Sequence, residues 1–161
     1  MTLGRILLPT DFSDTAQHAL DYARELARRF GAGVHLLHVV PDPMQNWAVE
    51  AMPVVSDLAE RWKADAERRL GEIRLDGLHT VRAVRVGHPF VEILRYAADN
   101  AIDMIVMGTH GRGPVEHLLL GSVAETVVRK ASCPVLTVKQ AGHVFVMPAV
   151  PVAPPAPEPA T

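Results

Sequence analysis

The sequence predicts an α/β domain in which a parallel sheet is covered by helices on both faces. Two observations carry that expectation. Short apolar runs alternate along the chain with longer segments whose apolar residues recur every three or four positions, the spacing of an amphipathic helix. Several of the runs are also near-continuous Val, Ile and Leu, as strands buried on both faces are, rather than alternating apolar with polar.

The elements follow in order. Arg5 to Pro9 is the first strand. Ala16, Ala19, Leu20, Ala23, Leu26, Ala27 and Phe30 then form a helical stripe, capped in front by Ser13 and ended by Gly31. Val34 to Val40 is the second strand. Beyond a proline-punctuated stretch from Pro41 to Pro53, Leu58, Trp62, Ala66, Leu70 and Ile73 line one side of a second helix. Val81 to Val86, interrupted by Arg82 and Arg85, reads as an edge strand. Pro89 opens a third helix through Phe90, Ile93, Leu94 and Ala97. Ile102 to Met107 is the fourth strand, Val123 to Ala131 the fourth helix and Pro134 to Val138 the fifth strand.

Composition narrows the class without naming a function. The 161 residues suit one domain with its own core, and 48% hydrophobic with 21% charged residues is ordinary for a soluble globular protein. A net charge of −2 leaves no footprint for nucleic acid or an anionic membrane. No apolar run is long enough to span a bilayer, and the first residues enter a strand with no signal-peptide core, so the cytoplasm is the expected location. The single Cys133, next to Pro134 at the start of a buried-looking strand, reads as a small core residue.

The chemistry concentrates where the fourth strand ends. Gly108-Thr-His-Gly111 is followed by nine residues and then Gly121-Ser122, so a strand, a glycine-marked loop and a helix start come in succession. Backbone N–H groups and a helix dipole in that geometry can hold an anion, and phosphate is the obvious candidate. Other phosphate-binding schemes fail. No Gly-Lys dipeptide is available for a P-loop, and Gly31-Ala-Gly33 has Leu36 where a dinucleotide fingerprint needs its third glycine.

The G-x2-G-x9-G-S pattern resembles the nucleotide-binding signature of the universal stress protein family in its ATP-binding branch. Ile6-Leu-Leu-Pro9-Thr10-Asp11-Phe-Ser13, Leu36-Leu-His-Val39, Ile105-Val-Met-Gly108 and Cys133-Pro-Val-Leu-Thr-Val138 fall in family order, so the resemblance covers roughly residues 3 to 139. It implies a Rossmann-like fold, related to the adenine nucleotide alpha hydrolases, whose five parallel strands run in the order 3-2-1-4-5. Strands one and four would then flank the switch point, outside whose carboxyl ends ligands bind. The chain divides into a nucleotide-binding domain at 1–139 and a proline-rich tail at 140–161.

The resemblance also implies the contacts. Gly108 and Gly111 let the backbone approach the phosphates, although a plain turn after the strand needs the same residue type. Gly121 and Ser122 meet the triphosphate. Ser122 with Glu125 also spells an S-x-x-E capping box, so the hydroxyl has a structural use as well. Asp11, in the Pro9-Thr10-Asp11 turn, would hold the water shell of Mg2+ against phosphate oxygens, or else cap the first helix. Val39 matches the position whose backbone meets adenine, or is plain core. Arg112 pairs with phosphate or stays solvated. Met107, His110 and Val123 complete the expected lining. His35 and His38 lie three apart on one strand and so face opposite ways, which argues against a histidine metal site.

Nothing in these motifs activates water, and no Gly-x-Ser-x-Gly elbow occurs. The expected function is therefore ATP binding by a homodimer, paired through the fifth-strand edge, in stress response or signalling. Two alternatives stand beside it: a slow Mg2+-dependent ATPase or nucleotide hydrolase, and a partner-recruiting module with a structural nucleotide. Pro41 to Val55 reads either as a lid over the site or as a loose surface loop. In the tail, Val144 to Met147 is a candidate extra edge strand, and the six prolines after it give polyproline or disorder.

Overall fold

A computed structural model of the chain describes residues 2–42, 53–109 and 120–139. Strand β1 (Arg5–Pro9) leads to helix α1 (Asp14–Phe30), β2 (Gly33–Val40), α2 (Pro53–Glu72), β3 (Thr80–Val86), α3 (Pro89–Asp99), β4 (Met104–Gly108), α4 (Ser122–Lys130) and β5 (Val135–Val138). The strands form one sheet in the order β3-β2-β1-β4-β5, and every pairing is parallel. This is the expected order, with β1 and β4 side by side at its centre.

Residue parity decides which side chain packs where. On one face Ile6, Leu8, Val34, Leu36 and Val106 meet Ala19, Leu20, Ala23 and Ala27 of α1 and Leu70 of α2. The small alanines let α1 lie close to the sheet. On the other face Leu7, Leu37, Ile105 and Met107 meet Ile93, Tyr96 and Ala97 of α3 and Ala124 and Val127 of α4. Helices therefore cover both faces, and each strand buries alternate residues in alternate cores. Helix α1 starts and stops where the sequence marks it: the Ser13 hydroxyl accepts the Ala16 N–H at 3.2 Å, and Gly31 takes the left-handed conformation at φ 67°. Edge strand β3 uses its charge structurally, since Arg82 donates to the Leu70 and Ile73 carbonyls at the end of α2, at 2.9 and 2.8 Å.

The starts of β2, β3, α4 and β5 shift by one residue from the sequence reading, and two larger differences have a physical cause. Helix α2 begins at Pro53, so residues 53–55 are helix rather than loop, with proline where a first helical turn accepts it. Strand β4 begins at Met104 rather than Ile102. Asp103 is occupied by a side-chain bridge, its carboxylate accepting the Gly4 and Arg5 N–H groups at 2.8 Å each, and Ala101 before it has φ 46°. Ile102 nevertheless stays buried. The rest of the Pro41 to Val55 stretch, including Trp47, and the tail with Val144 to Met147 lie outside the described residues from 43 to 52 and from 140 onward. Among the described residues no helix is long and apolar enough to cross a membrane.

Candidate functional site

At the switch point the carboxyl ends of β1, β2 and β4 open into a cavity of about 510 Å3. Pro9, Thr10 and Asp11 line it from the end of β1, Val39 from β2, Met107 and Gly108 from β4, and Gly121, Ser122 and Val123 from the start of α4. Residues far apart in sequence are thus brought together where an open parallel sheet places its ligands. His110, Gly111 and Arg112, and His117 with them, lie outside the described residues.

The β1–α1 turn satisfies its own backbone. Thr10 Oγ1 accepts the Phe12 N–H at 3.0 Å, Asp11 Oδ1 accepts the Ser13 N–H at 3.0 Å, and Ser13 caps α1. Capping therefore belongs to Ser13, and Asp11 instead closes an Asx turn, as a short carboxylate readily does. Phe12 is left in the left-handed region at φ 63°. The turn is tied to β2 as well, because His38 Nδ1 lies 2.7 Å from the Thr10 carbonyl and must donate to it.

The β4–α4 junction is built differently. Gly121 occupies the N-cap position at φ −70° and ψ 154°, and among the described residues no side chain caps the helix. The capping box expected of Ser122 and Glu125 does not form, because Ser122 is already the first helical residue. The Glu125 N–H instead bonds the Gly121 carbonyl at 2.8 Å, and its carboxylate faces Arg129 at 3.4 Å. Gly121 N–H bonds the Thr109 carbonyl at 2.7 Å while Thr109 N–H bonds the Val138 carbonyl at 2.9 Å, which ties the start of α4 to the end of β4 and that in turn to β5. Gly108 is glycine for a packing reason. A Cβ there would stand 2.8 Å from Thr15 Cγ2 and 3.1 Å from the Thr15 carbonyl carbon.

The described lining holds one carboxylate, Asp11, and no lysine or arginine. Positive potential comes from the first turn of α4, whose N–H groups and dipole face the cavity without a capping side chain. The opposite wall is apolar and includes residues the sequence reading missed, Pro41, Pro89 and Ile93, while the buried, polar Thr109, also missed, joins the lining beside Gly121. All four sit at or just beyond strand ends or in the first turns of α3, so the available signal was topological position. His38 was noticed only for its spacing, yet it also lines the cavity.

Two titratable groups stand apart from the site. His35 is buried with Nδ1 3.0 Å from the Tyr96 hydroxyl, and burial, then the charges of Arg5 and His79, push its pKa below the ordinary value. Burial pushes the Cys133 thiol up, consistent with a core residue rather than a reactive one.

A model of the universal stress protein family matches residues 2–139. Universal stress protein MJ0531 of Methanocaldococcus jannaschii is 34% identical over 139 residues, which is 84% of this chain and 82% of the relative. The solved structure of hypothetical protein MJ0577, from the same organism, is 33% identical and superposes with a TM-score of 0.79 over 89% of this chain and 100% of that one. A universal stress protein from Archaeoglobus fulgidus in complex with dAMP is 27% identical, with a TM-score of 0.61 over 86% of this chain and 100% of that one.

Proposed function

The chain belongs to the universal stress protein family, and on that premise we propose that it is an adenine-nucleotide binder that takes ATP with Mg2+ and acts as a cytoplasmic homodimer in stress response or signalling. The observation that carries this reading is the α4 N-terminus, left without a capping side chain and facing a cavity of about 510 Å3. Phosphate groups suit that end of the cavity, where N–H donors and the Ser122 hydroxyl stand. Adenine and ribose suit the apolar wall of Val39, Pro41, Met107 and Ile93. The dAMP held by the Archaeoglobus relative supports the class of ligand. In the same proposal Gly111, with His110 and Arg112, completes the phosphate loop.

Mg2+ fits the donors present. It keeps most of its waters and is held through one or two carboxylates plus phosphate oxygens. Asp11 supplies one carboxylate at the cavity wall, and its turn uses only Oδ1. When bound, the ion would neutralise phosphate charge; Asp11 would orient its water shell. The dimer would pair through β5, which ends the sheet with Leu136 exposed on one face and Val128 of α4 exposed beside the other. Residues 1–139 carry these functions, and 140–161 form an appended tail.

Calorimetry with ATP, with and without Mg2+, tests the reading, with light scattering at micromolar concentration for the assembly. Wild-type protein should bind ATP more tightly with the metal. Asp11→Asn keeps an oxygen for the Ser13 N–H while removing charge, so it should lose the Mg2+-dependent gain and keep the metal-free affinity. Absence of ATP binding would sink the nucleotide assignment, and a monomer mass the dimer.

A further inference from the structure

A second cavity, of about 410 Å3, opens on the other face of the sheet between α1 and α2 and shares only Thr10 and Ala16 with the first. Its floor is apolar, with Leu8 and Leu20 buried beneath it. Its walls are cationic. Arg24 of α1, Arg69 of α2 and Arg74 just beyond α2 all line it, against one carboxylate among the described lining residues, Glu72.

That carboxylate is already engaged, with Oε1 2.6 Å from Arg68, a residue outside the cavity lining. Two of the three arginines have side-chain partners. The Arg69 guanidinium lies 4.0 Å over the Phe12 ring, whose backbone sits in the left-handed region. Strained residues of this kind recur at ligand clamps. Arg24 is drawn to Asp21 at 2.8 Å, so its charge is partly answered, and its other nitrogen points to the Arg74 carbonyl at 3.5 Å. No described contact engages the Arg74 side chain. Three guanidiniums around one space repel each other, and a multiply charged anion relieves that repulsion while accepting forked hydrogen bonds.

We infer that this cavity binds a small polyanion, a metabolite carrying phosphate or carboxylate groups, through Arg24, Arg69 and Arg74. The Phe12 ring and Ile73 give an apolar body somewhere to rest. The site lies between α1 and α2 and, apart from Thr10 and Ala16, is lined by different residues from the nucleotide cavity.

Titrating the full chain with inorganic pyrophosphate and, separately, with citrate tests this by calorimetry. Because pyrophosphate could also settle at the α4 N-terminus, the titration is repeated on Gly121→Val. Saturable binding of either probe that survives Gly121→Val, and weakens about tenfold in Arg69→Gln and in Arg74→Gln, is the expected result. Arg74 is exposed, so Arg74→Gln should fold normally. ATP affinity should be unchanged in both arginine variants, which separates this site from the nucleotide reading. No saturable binding by either probe, binding indifferent to the arginines, or binding lost with Gly121→Val would overturn the inference.

Discussion

Two strand-to-helix junctions flank the switch point, and they treat the start of the helix in opposite ways. After β1, three polar side chains, Thr10, Asp11 and Ser13, take up backbone donors and close the α1 N-terminus internally. After β4, glycine stands at the N-cap and no described side chain caps the first turn of α4. An internally capped end adds stability whether or not a ligand is present. An end left open toward a cavity forgoes on the order of 1 kcal/mol that a capping side chain would supply, and that donor set is instead available to an anion. Under the nucleotide proposal the open junction meets the phosphates, while the closed one serves the fold through Thr10 and Ser13 and lends only Asp11 to the ligand, although the two look alike in sequence.

The glycines give the largest separation. Gly121 has backbone angles that any residue adopts, so Gly121→Val should cost no more than about 1 kcal/mol of stability at the cap. Its branched side chain would occupy the phosphate end of the cavity, and ATP affinity should fall about 100-fold or more, which is about 2.8 kcal/mol. Gly108→Ala should do the reverse. Its Cβ would stand 2.8 Å from Thr15 Cγ2 and 3.1 Å from the Thr15 backbone, so overpacking of about 1–3 kcal/mol should appear in urea denaturation. If Gly108→Ala were fully stable, or Gly121→Val bound ATP normally, the division between a structural and a ligand-facing glycine would collapse.

Much of this was legible before any coordinates. The Ser13 cap, the Gly31 stop and the span of β1 follow from local chemistry, and the structure has each of them as read. The strand order was not legible that way: periodicity fixes a class of covered parallel sheets, and only the resemblance to a family supplied 3-2-1-4-5. The capping box failed because Ser-x-x-Glu is written in the sequence one residue too late. The glycine before it took the cap, and Glu125 turned to Arg129. Gly108 reads as a phosphate glycine in one dimension, but its contact with Thr15 joins residues 93 positions apart, and no local pattern announces it. The apolar wall from Pro89 and Ile93 was missed for the same reason, since it enters the site through topology.

A pair of serines should sharpen the contrast at smaller scale. Ser13→Ala removes the α1 cap and should lower stability by about 1 kcal/mol with ATP affinity unchanged. Ser122→Ala removes a hydroxyl that caps nothing, so stability should hold while ATP affinity weakens by about 0.5–1.5 kcal/mol. Both quantities come from one set of urea and calorimetric titrations on each variant. Equal stability losses in the two would mean that α4 is capped by its serine after all.

The smallest effect is a pH slope, and it distinguishes the two histidines of β2. His38 is tied to the ligand-side turn, whereas His35 faces α3, buried against Tyr96. Burial first, and then Arg5 and His79, hold the His35 imidazole below its ordinary 6.5. Between that lowered value and 6.5 the unfolded chain binds a proton that the folded chain refuses, so the unfolded state carries more protons and stability rises with pH. The contribution is therefore fully present above about 6.5 and is lost as the solution is acidified through the window below it. His35→Gln, which cannot titrate, should flatten that part of the stability profile while leaving ATP affinity at neutral pH as it was. A slope below pH 6.5 that is identical in the variant would place the acid sensitivity on another group and return His35 to a plain packing role.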